Sequence, residues 1–112
     1  MTRKICNAKI ENVSLSIADH GLLSGWLYLD YGGTGQGFGG YNLYALARGF
    51  DGNIGNHCGH FITRCCQIAG VDKWEDLKGK TIRADADHGK VHGIGHILKD
   101  DWFYPSEDWK TE

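Results

Sequence analysis

Proline is nearly absent from this chain, with Pro105 the only one in 112 residues. No Pro-rich linker, low-complexity tract or internal repeat divides the sequence, so it reads as one domain spanning 1–112. Long apolar runs are missing as well. Nothing approaches the roughly 20 residues of a membrane-spanning helix. The basic start Met1-Thr2-Arg3-Lys4 is not followed by the apolar segment of a signal peptide. The expectation is a cytoplasmic protein with no membrane partner. Neither sign of charge dominates, since the formal net charge is −2. Lys78 and Lys80 flank Gly79, while Lys90 and Lys99 stand alone. That scatter gives no duplex-binding patch, and direct nucleic-acid binding is not expected. A spaced cysteine framework is lacking too. Cys6, Cys58, Cys65 and Cys66 read as free thiols of a reducing compartment.

Glycine and aromatic residues are what the chain has in quantity: 17 Gly, with four Trp, five Tyr and four Phe. Residues 32–40 read GGTGQGFGG, placing Gly33, Gly35, Gly37 and Gly39 on strict alternation. In an extended strand those positions share one face, which is then almost bare of side chains. Such a face admits close approach by a helix, a partner chain or a planar ligand. The plainest use is helix docking, for which Cys65 and Ala69 are suitably small.

The rest of the chain alternates between strand and turn signals. Val13, Leu15 and Ile17 alternate with polar residues, and 25–31 (GWLYLDY) is rich in β-formers. A third strand continues through the glycines to Tyr44, and 48–56 reads as a loop. Ile62, Cys65, Cys66 and Ala69 then form one helical stripe, widened by Phe61 and Ile68, with Gly70 at the C-cap. Asp72-Lys73-Trp74-Glu75 has the form of a capping box. Strands follow at 81–84 and 91–98, joined by the turn Asp87-His88-Gly89-Lys90. Trp102-Phe103-Tyr104-Pro105 closes the ordered domain, and the acidic C-terminal end frays after about 105. The expected fold is α+β: an antiparallel sheet of about five strands with one main helix packed on one face.

Candidate chemistry is sparse. His57, Cys58, His60, Cys65 and Cys66 crowd into ten residues, a set suited to structural zinc by type but lacking any CxxC spacing. His92 and His96 share a strand face but stand about 13 Å apart, too far for one ion. Asp19-His20 resembles half of a catalytic relay without a nucleophile motif, and Cys58 between His57 and His60 lacks an orienting partner. The glycine run is not followed by the helix that a dinucleotide site requires. No catalytic residue, metal ligand or cofactor is assigned. Two binding sets remain. Phe38, Tyr41 and Tyr44 beside the bare face could stack a base, with Arg48 or Arg64 supplying charge to a phosphate. Asp100, Asp101, Trp102, Tyr104, Glu107 and Asp108 combine aromatic anchors with carboxylates, the makeup of a protein-contact hot spot. The alternative use of Trp102 and Phe103 is simply to close the core.

The segments VSLSIADHG, GxGxGGY, AGVDKWEDLKGK and GIGHILKDDWF together resemble a family of small phage and prophage proteins, over residues 9–103. In that family pattern the positions of Cys65 and Cys66 are apolar, which implies core thiols. The resemblance implies an anti-defence protein of the anti-CRISPR kind, a non-enzymatic inhibitor that binds a host defence protein such as a Cas effector in the host cytoplasm. A nucleotide-sequestering module, a zinc-containing accessory protein and a virion component are the alternatives. Open sheet edges make a homodimer plausible.

Overall fold

The computed structural model describes residues 3–19, 22–45 and 57–109. Six antiparallel strands form one sheet: β1 (Lys4–Asp19), β2 (Leu22–Asp30), β3 (Gly35–Ala45), β4 (Thr81–Ala86), β5 (Val91–Gly95) and β6 (Trp102–Phe103). Their order across the sheet is β3-β2-β1-β4-β5-β6. The α+β class therefore holds, with six strands in place of five. The sixth is the two-residue β6, which hydrogen-bonds to β5 as Ile94 to Phe103 and Gly95 to Trp102.

β1 runs far longer than the expected strand because its first half also alternates. Ala8 and Ile10 are buried while Ile5, Asn7 and Lys9 are exposed. Gly32 and Gly33 make the β2–β3 turn, with φ of 90° and 118°. Two consecutive positive φ angles suit a two-residue hairpin and favour glycine. The Tyr31 N–H donates to Thr34 O at 2.8 Å across it.

The inner face of the sheet is concave and holds the helix α1 (Cys58–Ala69). Phe61, Cys65 and Ile68 are the most buried positions of α1, spaced i, i+4 and i+7. Phe61 stacks on Phe38 with centroids 6.0 Å apart and meets Phe103 at 6.1 Å. The helix stops where expected. Gly70 takes φ 73°, and the Val71 N–H reaches back to Cys66 O at 3.0 Å. The expected capping box does not form. Trp74–Asp76 is a 3-10 turn entered through Lys73 with no side-chain cap bond.

The curl of the sheet brings its edge strand β3 towards β5. The Gln36 amide Nε2 donates to Asp87 O at 2.9 Å, and Gln36 Oε1 accepts from the Tyr31 hydroxyl at 2.7 Å. One side chain thus latches β3 to the β4–β5 turn. The described residues beyond 104 pack against the domain as well. Pro105–Asp108 forms one helical turn, α2, and Trp109 packs edge-on against Tyr41 at 5.6 Å.

Candidate functional site

Gly35 and Gly37 lie extended on one face of β3, while Gly33 belongs to the turn and Gly39 takes φ 135° at a register irregularity; the helix is not on that face. Residue 38 points inward, where Phe38 has no exposure, so the glycines face outward. What fills the bare track is Trp26 from the neighbouring strand. A Cβ built on Gly37 would fall 2.9 Å from ring atoms of Trp26, and one on Gly40 would fall 2.6 Å from Cζ2. Both separations are closer than real side chains tolerate, so the indole stays in place because those residues are glycine. Tyr28 lies beside it with centroids 6.1 Å apart and planes 11° apart. Across the strands, Ser14 pairs with Trp26, Asn12 with Tyr28, and Asn42 with Ser24. The result is two parallel rings whose cross-strand neighbours on β1 are Ser14 and Asn12.

A second aromatic ladder of the same construction sits at the other end of the outer face. Trp102 lies over Gly95, where a Cβ would fall 2.6 Å from the indole, and Tyr104 lies over Gly93. Their centroids are 6.0 Å apart with planes 23° apart. This ladder is capped from within the chain. The Arg83 guanidinium stands 4.8 Å from the Trp102 centroid, fixed by donating to His96 O and Lys99 O, both at 2.7 Å. Arg3 stands 5.9 Å from the Tyr104 centroid and donates to both Asp85 oxygens, at 3.1 and 2.8 Å. The Tyr104 hydroxyl donates to Asp85 Oδ2 at 2.6 Å. Arg3 and Tyr104 together hold the Asp85 carboxyl below its usual range, while burial and the same carboxylate push Tyr104 up to about 12.

The Trp26–Tyr28 pair has none of this. Among the described residues no guanidinium or ammonium stands over either ring, and neither the indole N–H nor the phenol makes a hydrogen bond. Tyr28 is 41% exposed, and Trp26 is half-buried. The sequence reading missed this platform, although its register could be counted. From the Gly32-Gly33 turn outwards, Asp30 falls opposite Gly35, Tyr28 opposite Gly37 and Trp26 opposite Gly39.

The residues singled out from sequence do not assemble as expected. Phe38 is core, on the face opposite the glycines, so it cannot stack a ligand there. Tyr41 packs against Phe38 and Trp109, and burial raises its hydroxyl. Tyr44 is exposed opposite Leu23, and Arg48 lies outside the described residues, as does His20. In the C-terminal set, Asp101 turns towards α1 and accepts from Arg64 at 2.8 Å. Trp102 and Tyr104 lie under arginines on the outer face, while Asp100, Glu107 and Asp108 are exposed elsewhere. These six residues do not make one surface.

His57, His60, His92 and His96 each have partners of their own. His57 stacks on Trp109 at 4.4 Å, and His60 Nδ1 accepts from the Trp109 indole at 2.8 Å. Cys65 and Cys66 are buried on the helix stripe, where burial raises both thiols. His92 meets Asp87 at 2.8 Å, and His96, beyond the end of β5, accepts from the Leu98 and Lys99 N–H groups at 3.0 Å. No three ligating side chains converge among the described residues. A cleft of about 450 Å³ opens beside the Gln36 latch, with Lys4, Cys6, Tyr31 and His88 on its walls. Comparison of the chain with protein-family models, curated proteins and solved structures finds no match.

Proposed function

We propose that this protein acts without catalysis, by holding another protein against the outer face of its sheet, in the manner of a phage anti-defence inhibitor that occupies a host effector such as a Cas nuclease. The observation that supports this reading is the uncapped Trp26–Tyr28 pair. Binding ordinarily loses free energy to freezing side chains, on the order of 0.5–1.5 kcal/mol for each flexible one. Trp26 is already seated on Gly37 and Gly40, so that loss falls on folding and not on association. Rigid Trp and Tyr among Ser and Asn is also the composition of surfaces that recognise proteins. The acidic C-terminal residues favoured at first, Asp100, Glu107 and Asp108, then belong to solvated surface. The family resemblance supplies the biological setting, and the platform supplies the contact.

The test is co-elution of the purified chain with purified Cas effector complexes on size-exclusion chromatography. A stoichiometric complex is expected, lost in Trp26→Ser and Tyr28→Ser and retained in the Glu107→Gln/Asp108→Asn double variant. Absence of any complex, or a complex indifferent to Trp26 and Tyr28, overturns the reading.

A further inference from the structure

The two ladders share one construction and differ in what covers them, so the finished one shows what the unfinished one accepts. Over Trp102 the chain itself places an arginine, with its guanidinium 4.8 Å from the ring centroid. Over Trp26 it places nothing among the described residues. We infer that the Trp26–Tyr28 platform receives an arginine side chain from a basic segment of the protein partner. The inference rests on the reading that this chain works by protein contact, and it names the chemistry of that contact.

Charge near the platform favours a cation. Asp30 lies two residues beyond Tyr28 on the same face of β2, and its Oδ1 accepts only the Gly32 N–H, at 2.9 Å. Glu11 occupies the β1 bulge between Ile10 and Asn12, beside the partner of Tyr28. Lys9 stands opposite Asp30 and Lys80 beside Ile10, yet neither ammonium pairs with Asp30 among the described residues. At the capped end the carboxylates are already taken, Asp85 by Arg3 and Tyr104 and Asp87 by His92. A nucleobase would also stack on these rings, but its phosphates would lie among Glu11 and Asp30 in a chain of net charge −2. An arginine gains from both features. Its plane stacks on the indole, and its fork can reach the free Asp30 oxygen. Lysine lacks the plane and the fork.

The experiment uses the full chain and three fluorescent probes read by anisotropy: a Gly-Arg repeat peptide, a Gly-Lys repeat of equal length, and an oligothymidine of similar charge magnitude. The arginine peptide is expected to bind about three- to five-fold tighter than the lysine peptide, the range of an exposed cation–π contact. Tyr28→Ser and Trp26→Ser should each weaken arginine binding and shrink the preference. Tyr28→Ser leaves the indole on Gly37 and Gly40, so it remains informative if Trp26→Ser does not fold. Equal affinity for both peptides, a preference unchanged in the variants, or tighter binding of the oligonucleotide overturns the inference. So does a homodimer that depends on Trp26, which would place a second copy there. A Trp26-dependent effector complex with no arginine preference sinks this inference and spares the proposed function. Arginine preference without any effector complex does the opposite.

Discussion

At both ends of the outer sheet face, a tryptophan and a tyrosine lie across glycines of the neighbouring strand, yet one end is finished and the other is not. Trp102 and Tyr104 have Arg83 and Arg3 over them, and Tyr104 is hydrogen-bonded to a largely buried carboxylate. Trp26 and Tyr28 sit on their glycines with no cation over them among the described residues. Sharing the same local packing, the two pairs differ in satisfaction, and that difference separates a structural device from a binding surface. Aromatic cover on glycine repairs the weakness that glycine brings to a strand. Capping the aromatic then removes it from use by others. A pair left uncapped keeps the stability gained from covering the glycines and still offers its outer side to a partner.

The largest expected effect tests which face is core. Phe38 lies between Phe61, Phe103 and Tyr41 on the concave side. Phe38→Ala should destabilise the protein by about 4 kcal/mol, as truncation of a buried phenylalanine does. Chemical denaturation measures this directly. A loss below 1 kcal/mol would mean that Phe38 is not in the core and that the faces have been assigned the wrong way round.

The next test sets glycine against glycine. Gly95→Val forces Trp102 away from a site where Arg83 pins it from above, so the strain has no outlet and about 3 kcal/mol should be lost. Gly37→Val meets Trp26 from below, but among the described residues no arginine pins that ring from above, and about 1 kcal/mol suffices to lift it. The second variant should nevertheless lose partner binding, because a lifted indole is no longer preorganised. Equal destabilisation of the two would remove the distinction between the capped and uncapped ends.

Truncating the rings themselves should give a smaller contrast in the same direction. Trp102→Ala loses buried area and a cation–π contact, about 2 kcal/mol together. Trp26→Ala uncovers two glycines and should cost about 1 kcal/mol or less. Urea denaturation of both variants reads the difference. The result fails the comparison if Trp26 proves the more important for stability.

How much of this was legible beforehand depends on the size of the residues that carry the signal. The helix was readable from Ile62, Cys65, Cys66 and Ala69 with Gly70 ending the run, but the buried stripe is centred on Phe61, Cys65 and Ile68, with Ile62 and Ala69 at its edges. The hairpin turn at 87–90 was readable because Asp87 accepts the Gly89 and Lys90 N–H groups, a role its residue type announces. The first half of β1 was missed because Cys6 and Ala8 are too small to make alternation conspicuous. β6 was missed because two residues carry no period. The glycine track is extended only at Gly35 and Gly37, with Gly33 in the turn and Gly39 at φ 135°, and the bare positions face away from the helix they were expected to admit. Phe38 among the glycines was the better guide: a large apolar residue marks the core face, and the bare positions are then left for a neighbour on the outside. For the site, Trp26 and Tyr28 were visible as strand residues, while their uncapped state depends on where Arg83 and Arg3 fall in three dimensions. No spacing rule encodes that.

The smallest expected effect concerns acid. Asp85 and Asp87 belong to the capped end, and both carboxyls lie below their ordinary value. Arg3 is the main cause for Asp85; for Asp87, brought down to about 2, it is the hydrogen bond to His92. A carboxyl lowered in the folded state adds stability above its unfolded value, near 4, and loses it as pH falls through the folded value. Melting temperature should therefore decline between about pH 4 and pH 2. Asp85→Asn and Asp87→Asn should each start from a lower melting temperature at pH 6 and fall less steeply on acidification. The neutral amide cannot lose a charge that the native state was holding. If both variants track the parent at every pH, the arginine and histidine contacts contribute nothing, and the capped end owes its order to ring packing alone. The two ends would then differ in shape and not in electrostatics, and the charge argument for an arginine at Trp26 would lose its internal precedent.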